Sequence, residues 1–511
     1  MKIWWLLVLV GLFTATPAVA QSLEPVGKFS QINSEQTNQS KPAKIQQTDR
    51  VFEDWESLVE RYNCSLDYPD RDLTRAEFAA GLHTCLDRVK ASIAAAPTDP
   101  ATQADLATLQ KLQAEFATEL TALRQRVDSV EAKTSVVEKQ QFSTTTKLNG
   151  QVIFALTDAF GGASSNGQND NYNATLSDRV RINFNTSFTG KDLLTTRIQA
   201  SNIIDPRPAT NTSPSNETRL SFQSGGDTTN AGFLGLLKYD FPVNDNVKLT
   251  AATGFNIGFI DVLDNIVNPL ASDSQASLSR FGRYNPIYRL GFDTGGAANI
   301  KLSPDLKLEV GYLASQANNP SQGTGLFGGN YAALGQVVFT PNFGTIALTY
   351  VNAYSDNGLN GGTGSVLSNL SGRAISSNSY GVEANFKLSP GLQAGGWVGY
   401  TNARAVTGAV RGDGDIWTYA MTLAFPDLGQ KGNLGGLIIG MQPKLTGTTA
   451  LLSGLNDRSD RDTGLHIEGF YRYALSKNLS ITPGIIWLTA PNHNSDNRDA
   501  FVGVIRTTFI F

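Results

Sequence analysis

Residues 178–188 read Asp-Arg-Val-Arg-Ile-Asn-Phe-Asn-Thr-Ser-Phe, and their order decides the fold class. Val180, Ile182, Phe184, Thr186 and Phe188 occupy one face of an extended chain, and Arg179, Arg181, Asn183, Asn185 and Ser187 the other. A period of two marks a strand whose faces meet different surroundings. The alternation recurs in Leu306, Leu308, Val310 and Tyr312 against Lys307, Glu309 and Gly311, and in Tyr380, Val382, Ala384, Phe386 and Leu388 against Gly381, Glu383, Asn385 and Lys387. Such strands fit a soluble sandwich with the apolar face inward or a membrane barrel with it outward.

Connection lengths separate the two. Short turn segments stand at 190–192, 242–246, 303–305, 341–343, 389–391, 427–431 and 476–478, and between them lie longer links rich in Gly, Asn and Ser near 159–177, 204–229, 259–286, 317–329, 356–377, 405–414, 443–462 and 491–499. Short turns alternating with long loops predict sixteen antiparallel strands of about ten residues, the length a tilted membrane strand requires. The fold class expected is therefore mainly β: a transmembrane barrel over 147–511 with both ends on the short-turn, periplasmic side. The final strand places Phe501, Ile505, Thr507, Phe509 and Phe511 on one face, and an exposed aromatic edge on a soluble protein would invite aggregation.

Composition divides the chain at the same place. Of 511 residues only 17% are charged and 49 are Gly, below the roughly 25% charge of ordinary soluble domains. Residues 21–146 hold 19 acidic and 14 basic residues, whereas 147–511 hold 26 of each and all but 3 of the glycines. The net charge of −4 gives no basic field for nucleic acid. Three His and two Cys offer no metal or cofactor constellation. His466 and Glu468 share a strand face without a convincing nucleophile set, so no enzyme is expected.

The charged front has its own organisation. Lys2, the apolar run 3–13 and Ala18-Val19-Ala20 read as a signal peptide over 1–20. Residues 21–50 are polar and aperiodic, a flexible spacer. Trp55, Leu58, Val59 and Tyr62 fall at helical spacing, and Thr74 with Glu77 forms a capping box for a second helix that buries Phe78, Leu82, Leu86 and Val89. Cys64 and Cys85, the only cysteines, belong to these two helices of an exported chain and are expected to form a disulfide worth about 3 kcal/mol. Leu109, Leu112, Phe116, Leu120, Leu123, Val127, Val130 and Val137 form a heptad-compatible stripe. A coiled coil over 99–142, and with it a homo-oligomer, is expected; packing against the neighbouring domain is the alternative.

Tyr68-Pro69-Asp70 and Thr74-Arg75-Ala76-Glu77-Phe78 resemble the S-layer homology domain, a wall-anchoring module, over about 51–95. The resemblance implies that Arg75 contacts peptidoglycan-linked wall polysaccharide, with Thr74, Glu77 and Asp70 shaping its surroundings. An Arg beside the free amides of a helix start suits an anionic polymer. This copy shortens the segment after Asp70 to Arg71-Asp72 and stands alone rather than in threes. The whole chain, through Leu58-Val59-Glu60-Arg61-Tyr62-Asn63-Cys64, residues 74–82, Cys85-Leu86-Asp87-Arg88-Val89 and the terminal Phe511, resembles cyanobacterial outer-membrane porins that join one such domain to an OprB-like, carbohydrate-selective barrel. That resemblance implies a passive channel for sugars or inorganic ions including iron, embedded in outer-membrane lipid as a homotrimer, with Phe511 read by the outer-membrane assembly machinery and no cofactor. A chiefly structural tether between outer membrane and wall is the competing function.

A sixteen-strand barrel encloses an aqueous lumen. Arg179, Arg181, Arg197, Lys307, Glu309, Glu383, Lys387, Glu468, Arg472 and Arg506 fall on inward faces as pore-lining candidates. The long link 259–286 carries Asp261, Asp264 and Asp273, then Arg280 and Arg283. Folded inward, it would form a constriction crossed by a transverse field, and the equal charge counts predict weak overall selectivity.

Overall fold

The computed structural model describes residues 44–45, 50–64, 73–95, 100–117, 121, 125, 145–161, 173–206, 216–223, 229–255, 257–359, 361–407, 411–449 and 458–511. The chain forms two compact units, Met1–Gln140 and Gln141–Phe511. The signal peptide, nearly all of the spacer and Asp70 lie outside the described residues.

In the first unit, helices α1 (Arg50–Tyr62), α2 (Arg75–Ala95) and α3 (Pro100–Glu115) surround one apolar core, and Lys44–Ile45 pairs antiparallel with Leu73–Thr74. Trp55 and Leu58 of α1 meet Phe78, Leu82, Leu86 and Val89 of α2 in that core. Gly81 makes room for the contact, because a Cβ there would stand 2.8 Å from the Trp55 ring. Cys64 and Cys85 are joined by a disulfide with Cα atoms 5.1 Å apart. Leu109, Leu112 and Phe116, the first three positions of the heptad stripe, are buried in the same core, with the Phe78 and Phe116 rings 5.0 Å apart. That part of the stripe is occupied within the domain and is not open to a coiled coil. Leu120, Leu123, Val127, Val130 and Val137 lie outside the described residues.

The second unit is a closed barrel of sixteen strands among the described residues. In chain order these are β1 (Thr146–Gly161), β2 (Thr175–Thr186), β3 (Leu193–Ser201), β4 (Phe233–Pro242), β5 (Val247–Thr253), β6 (Thr294–Lys301), β7 (Leu306–Ala314), β8 (Tyr331–Phe339), β9 (Gly344–Ser355), β10 (Ile375–Ser389), β11 (Leu392–Ala405), β12 (Gly412–Pro426), β13 (Leu434–Thr448), β14 (His466–Ala474), β15 (Leu479–Leu488) and β16 (Ala500–Ile510). Each pairs antiparallel with its sequence neighbours, and β16 closes on β1 from Ala500↔Gly161 to Ile510↔Gln151. Phe511 extends the seam through two backbone bonds with Gly150, 2.6 and 3.0 Å long. Short turns and long links alternate as the sequence predicts, with shifted bounds: β11 runs on to Ala405 and β12 starts at Gly412, so the link expected at 405–414 shrinks to 406–411, β13 runs on to Thr448 into the link expected from 443, and the link expected at 259–286 spans 254–293.

Alternation along the strands puts apolar side chains outside. On β10, Tyr380 and Val382 are exposed while Glu383 between Val382 and Ala384 is buried. Tyr350, Tyr380, Tyr400 and Trp417 stand directly opposite one another across β9 to β12, with ring centroids 5.3, 6.3 and 4.8 Å apart. Such a row is an aromatic girdle, where amphipathic rings sit at a membrane interface. Phe343 and Phe386 form a second contact at the short-turn end.

The seam between first and last strands depends on Gly161, whose φ of +82° is left-handed and whose Cβ would stand 2.2 Å from the carbonyl oxygen of Asp499. A Val there would combine a disfavoured backbone with a clash against backbone, a cost of about 1–3 kcal/mol from strain alone. Gly161→Val should lower the temperature at which the barrel loses its compact form on unheated gels. An unchanged transition would show that the seam is not under this constraint.

Candidate functional site

The link between β5 and β6, residues 254–293, is the longest in the barrel and does not stay at its mouth. It crosses the interior, where it is bonded to strands all round the wall. On one side the buried Arg179 of β2 donates to Asp273 (2.9 Å) and Gln151 (2.6 Å), and Arg181 donates to the same Asp273 carboxylate (2.5 Å). Arg506 of β16 donates to the carbonyls of Asp273, Ala276 and Ser277 at 3.1, 2.7 and 3.1 Å.

Other strands supply acceptors, β14 two strands from β16 and β7 and β10 farther round the wall. Glu468 of β14 receives the backbone amides of Leu278 (2.6 Å) and Ser279 (3.2 Å) and the Ser279 hydroxyl. Glu309 of β7 receives Asn265 at 2.6 Å and Gln336 at 2.8 Å. Glu383 of β10 receives Asn285 at 2.7 Å and Thr349 at 3.0 Å, and the Tyr288 hydroxyl lies 2.9 Å from Thr349 while bonding Gln336. Apolar contacts fill the gaps: Phe281 packs edge-on against Trp397 at 5.5 Å and His466 at 5.0 Å.

These contacts redistribute the sequence candidates. Arg179, Arg506 and Glu383 lie on the inner face but are covered by the loop, at 0, 0 and 1% exposure; they hold the constriction rather than face water. Lys387 is exposed at the short-turn end. Asp264 pairs with Lys248 beside the turn residues Asn244 and Asn246, apart from the loop arginines. Arg181, Arg197, Asp261, Asp273, Arg280 and Arg283 do converge, around a cavity of about 360 Å³. Arg197 stands 3.8 Å from Asp261.

A second cavity of about 380 Å³ adjoins it at Arg280 and Tyr284 and is lined also by Arg219 and Arg289. Sequence reasoning missed both. Arg289 lies three residues beyond the expected end of the loop, and Arg219 sits in a link without periodicity. Three arginines within ten residues of a charge-poor half were the available signal. Of the wall-polymer candidates, Arg75 and Thr74 stand at the start of α2, Glu77 is half-buried in its first turn, and the side chains of Thr74 and Arg75 lie outside the described residues. Ser279, His466 and Glu468 touch at 3.2 and 3.3 Å but are buried under the loop, with the hydroxyl donated to Glu468.

A model of the carbohydrate-selective porin, OprB family, matches residues 103–511. The chain belongs to this family. Two uncharacterized cyanobacterial relatives of this porin extend the likeness to the front of the chain: alr4550 of Nostoc is 42% identical over 94% of this chain and 86% of its own, and sll0772 of Synechocystis 36% identical over 98% of each. The solved structure of Pseudomonas putida OprB is similar in fold, with a TM-score of 0.51 and 14% identity over 75% of this chain and 97% of that one. As an OprB-family porin the barrel is a channel of the outer membrane.

Burial opposes charge on Asp273, but Arg179, Arg181 and Arg283 more than offset it and hold the carboxyl well below its ordinary pKa. A depressed pKa contributes stability that is present above the unfolded value of about 3.9 and lost as pH falls through the folded one. Single-channel conductance should therefore stay flat from neutral pH down to about 5, above the whole of that window. Asp273→Asn, which leaves buried guanidiniums unpaired, should give a noisier and wider channel at neutral pH; identical recordings for variant and parent would show that Asp273 does not hold the loop.

Proposed function

We propose that this porin passes small hydrophilic solutes, sugars and inorganic ions including iron, by passive diffusion, with Arg181, Arg197, Asp261, Asp273, Arg280 and Arg283 lining the narrowest passage. The observation that carries the reading is the tethered loop, which narrows the interior yet leaves cavities of about 360 and 380 Å³ beside it. A fixed loop with charged groups on a polar passage sorts solutes by size and charge without a moving part. The short-turn end, where β1 begins and β16 ends, faces the periplasm in this reading, which puts the N-terminal unit on the wall side. Within that unit, residues 51–95 bind peptidoglycan-linked wall polysaccharide through Arg75, supported by Thr74, Glu77 and Asp70. Any coiled coil is confined to the stripe beyond Phe116, and the working assembly is a homotrimer.

Liposome swelling with graded sugars and inorganic salts tests the channel. Swelling rates should fall smoothly with solute size, and liposomes that swell with none of these solutes would refute diffusion through the barrel. Removal of residues 51–95 should abolish co-sedimentation with purified cell wall while leaving swelling intact. Retained wall binding would move the anchor elsewhere in the chain.

A further inference from the structure

The charges beside the loop are unbalanced, although the barrel half of the chain carries 26 of each sign. The adjoining cavities are lined by six arginines, Arg181, Arg197, Arg219, Arg280, Arg283 and Arg289, and by four aspartates. Of the four aspartates, Asp261 and Asp273 line one cavity and Asp293 and Asp356 the other, where Asp356 accepts from Asn330 at 2.9 Å. Asp273 is shared by Arg179 and Arg181, Asp261 stands by Arg197, and Arg219 is held by Asp205 at 3.2 Å. Among the described residues no carboxylate comes within 4.0 Å of the guanidinium of Arg280, Arg283 or Arg289.

The side chains are fixed in this arrangement. Arg289 is only 6% exposed, stacks at 4.1 Å over the Tyr284 ring and donates one nitrogen to the Arg280 carbonyl. Arg283 approaches the same ring at 5.0 Å. Arg289 retains Nε and Nη1, and Arg280 its Nε, without a hydrogen-bond partner among the described residues. Guanidiniums do not give up their protons in proteins, so the cluster stays cationic. Buried charge and unmet donors are both costly unless a partner supplies opposite charge and acceptors. Burial, then Arg219 and Arg289, push the Arg280 pKa well below its usual value, against a smaller opposing effect of Tyr284.

We infer that the cavity between Arg219, Arg280 and Arg289 is a binding site for small oxyanions, inorganic phosphate and phosphorylated or carboxylated solutes among them, and that the pore consequently prefers anions. The inference rests on the channel reading and specifies its solute class. An oxyanion supplies both missing elements, negative charge and several acceptor oxygens, and arginine is the side chain best matched to it. A neutral sugar supplies acceptors without the charge. The volume of about 380 Å³ exceeds about ten water shares of about 30 Å³ each, so an anion can enter with part of its hydration and leave again, as conduction demands.

The test uses the purified full chain in planar bilayers. Reversal potentials in a potassium chloride gradient should show chloride more permeant than potassium, and inorganic phosphate should reduce chloride conductance saturably. Arg280→Gln should raise the half-blocking phosphate concentration by about tenfold, the scale of one lost charge-assisted hydrogen bond, and lower the anion preference. Parent channels that swell liposomes with sugar yet prefer potassium, or show no saturable phosphate effect, overturn the anion site and leave the porin standing. A chain that neither conducts nor swells liposomes overturns the porin reading itself. Because the parent alone decides between these outcomes, misfolding of the variant does not blunt the test.

Discussion

Five ionisable side chains on the inner wall, Arg179, Glu309, Glu383, Glu468 and Arg506, are each buried to 1% exposure or less, and the rest of the structure follows from the need to give them partners. Leaving a buried polar group without its hydrogen-bond partner costs about 1–3 kcal/mol, and more for a charged one, so a wall built this way specifies what must lie against it. The loop 254–293 is that partner. It presents carbonyls and Asp273 to the arginines on β2 and β16, and amides, Asn265, Ser279 and Asn285 to the carboxylates on β7, β10 and β14. Acceptors and donors therefore fix both the position of the loop and its direction across the interior.

This arrangement separates two duties within one set of charges. Groups under the loop are consumed in holding it, while those along its free edge remain to meet solute. The segregation explains how equal numbers of acids and bases in the barrel yield a passage edged mainly by arginine. The acids of the wall are drawn into tethers, where each accepts two or more donors, whereas Arg280 and Arg289 extend from the loop with no carboxylate within 4.0 Å among the described residues. Solute preference is thus a by-product of how the loop is anchored, and it can be altered without rebuilding the barrel.

Much of the architecture was legible in the sequence because lipid on one side and water or protein on the other imposes a strict period of two. Val180, Val310 and Val382 mark the outer face and Arg179, Glu309 and Glu383 the inner one without any tertiary information. What the period does not encode is the partner of an inward group. Glu383 reads equally well as a lumen residue or as a tether, and only the approach of Asn285 distinguishes them. Loops carry no period at all, so composition ends the long link at 286, short of Arg289, and no pattern singles out Arg219. The heptad stripe carries the same ambiguity: a spacing of three and four describes an apolar helix face without naming its partner, and Leu109, Leu112 and Phe116 find their cover in α1 and α2 of their own domain.

The position of the loop is the claim on which both the constriction and its charge depend, and single-channel conductance after replacing residues 259–286 with a short Gly-Ser link tests it most directly. If the loop crosses the interior, its removal opens a sixteen-strand lumen, which is wide enough for an aqueous channel, and conductance rises severalfold while anion preference collapses. Conductance and selectivity equal to those of the parent would place the loop outside the passage and contradict the account.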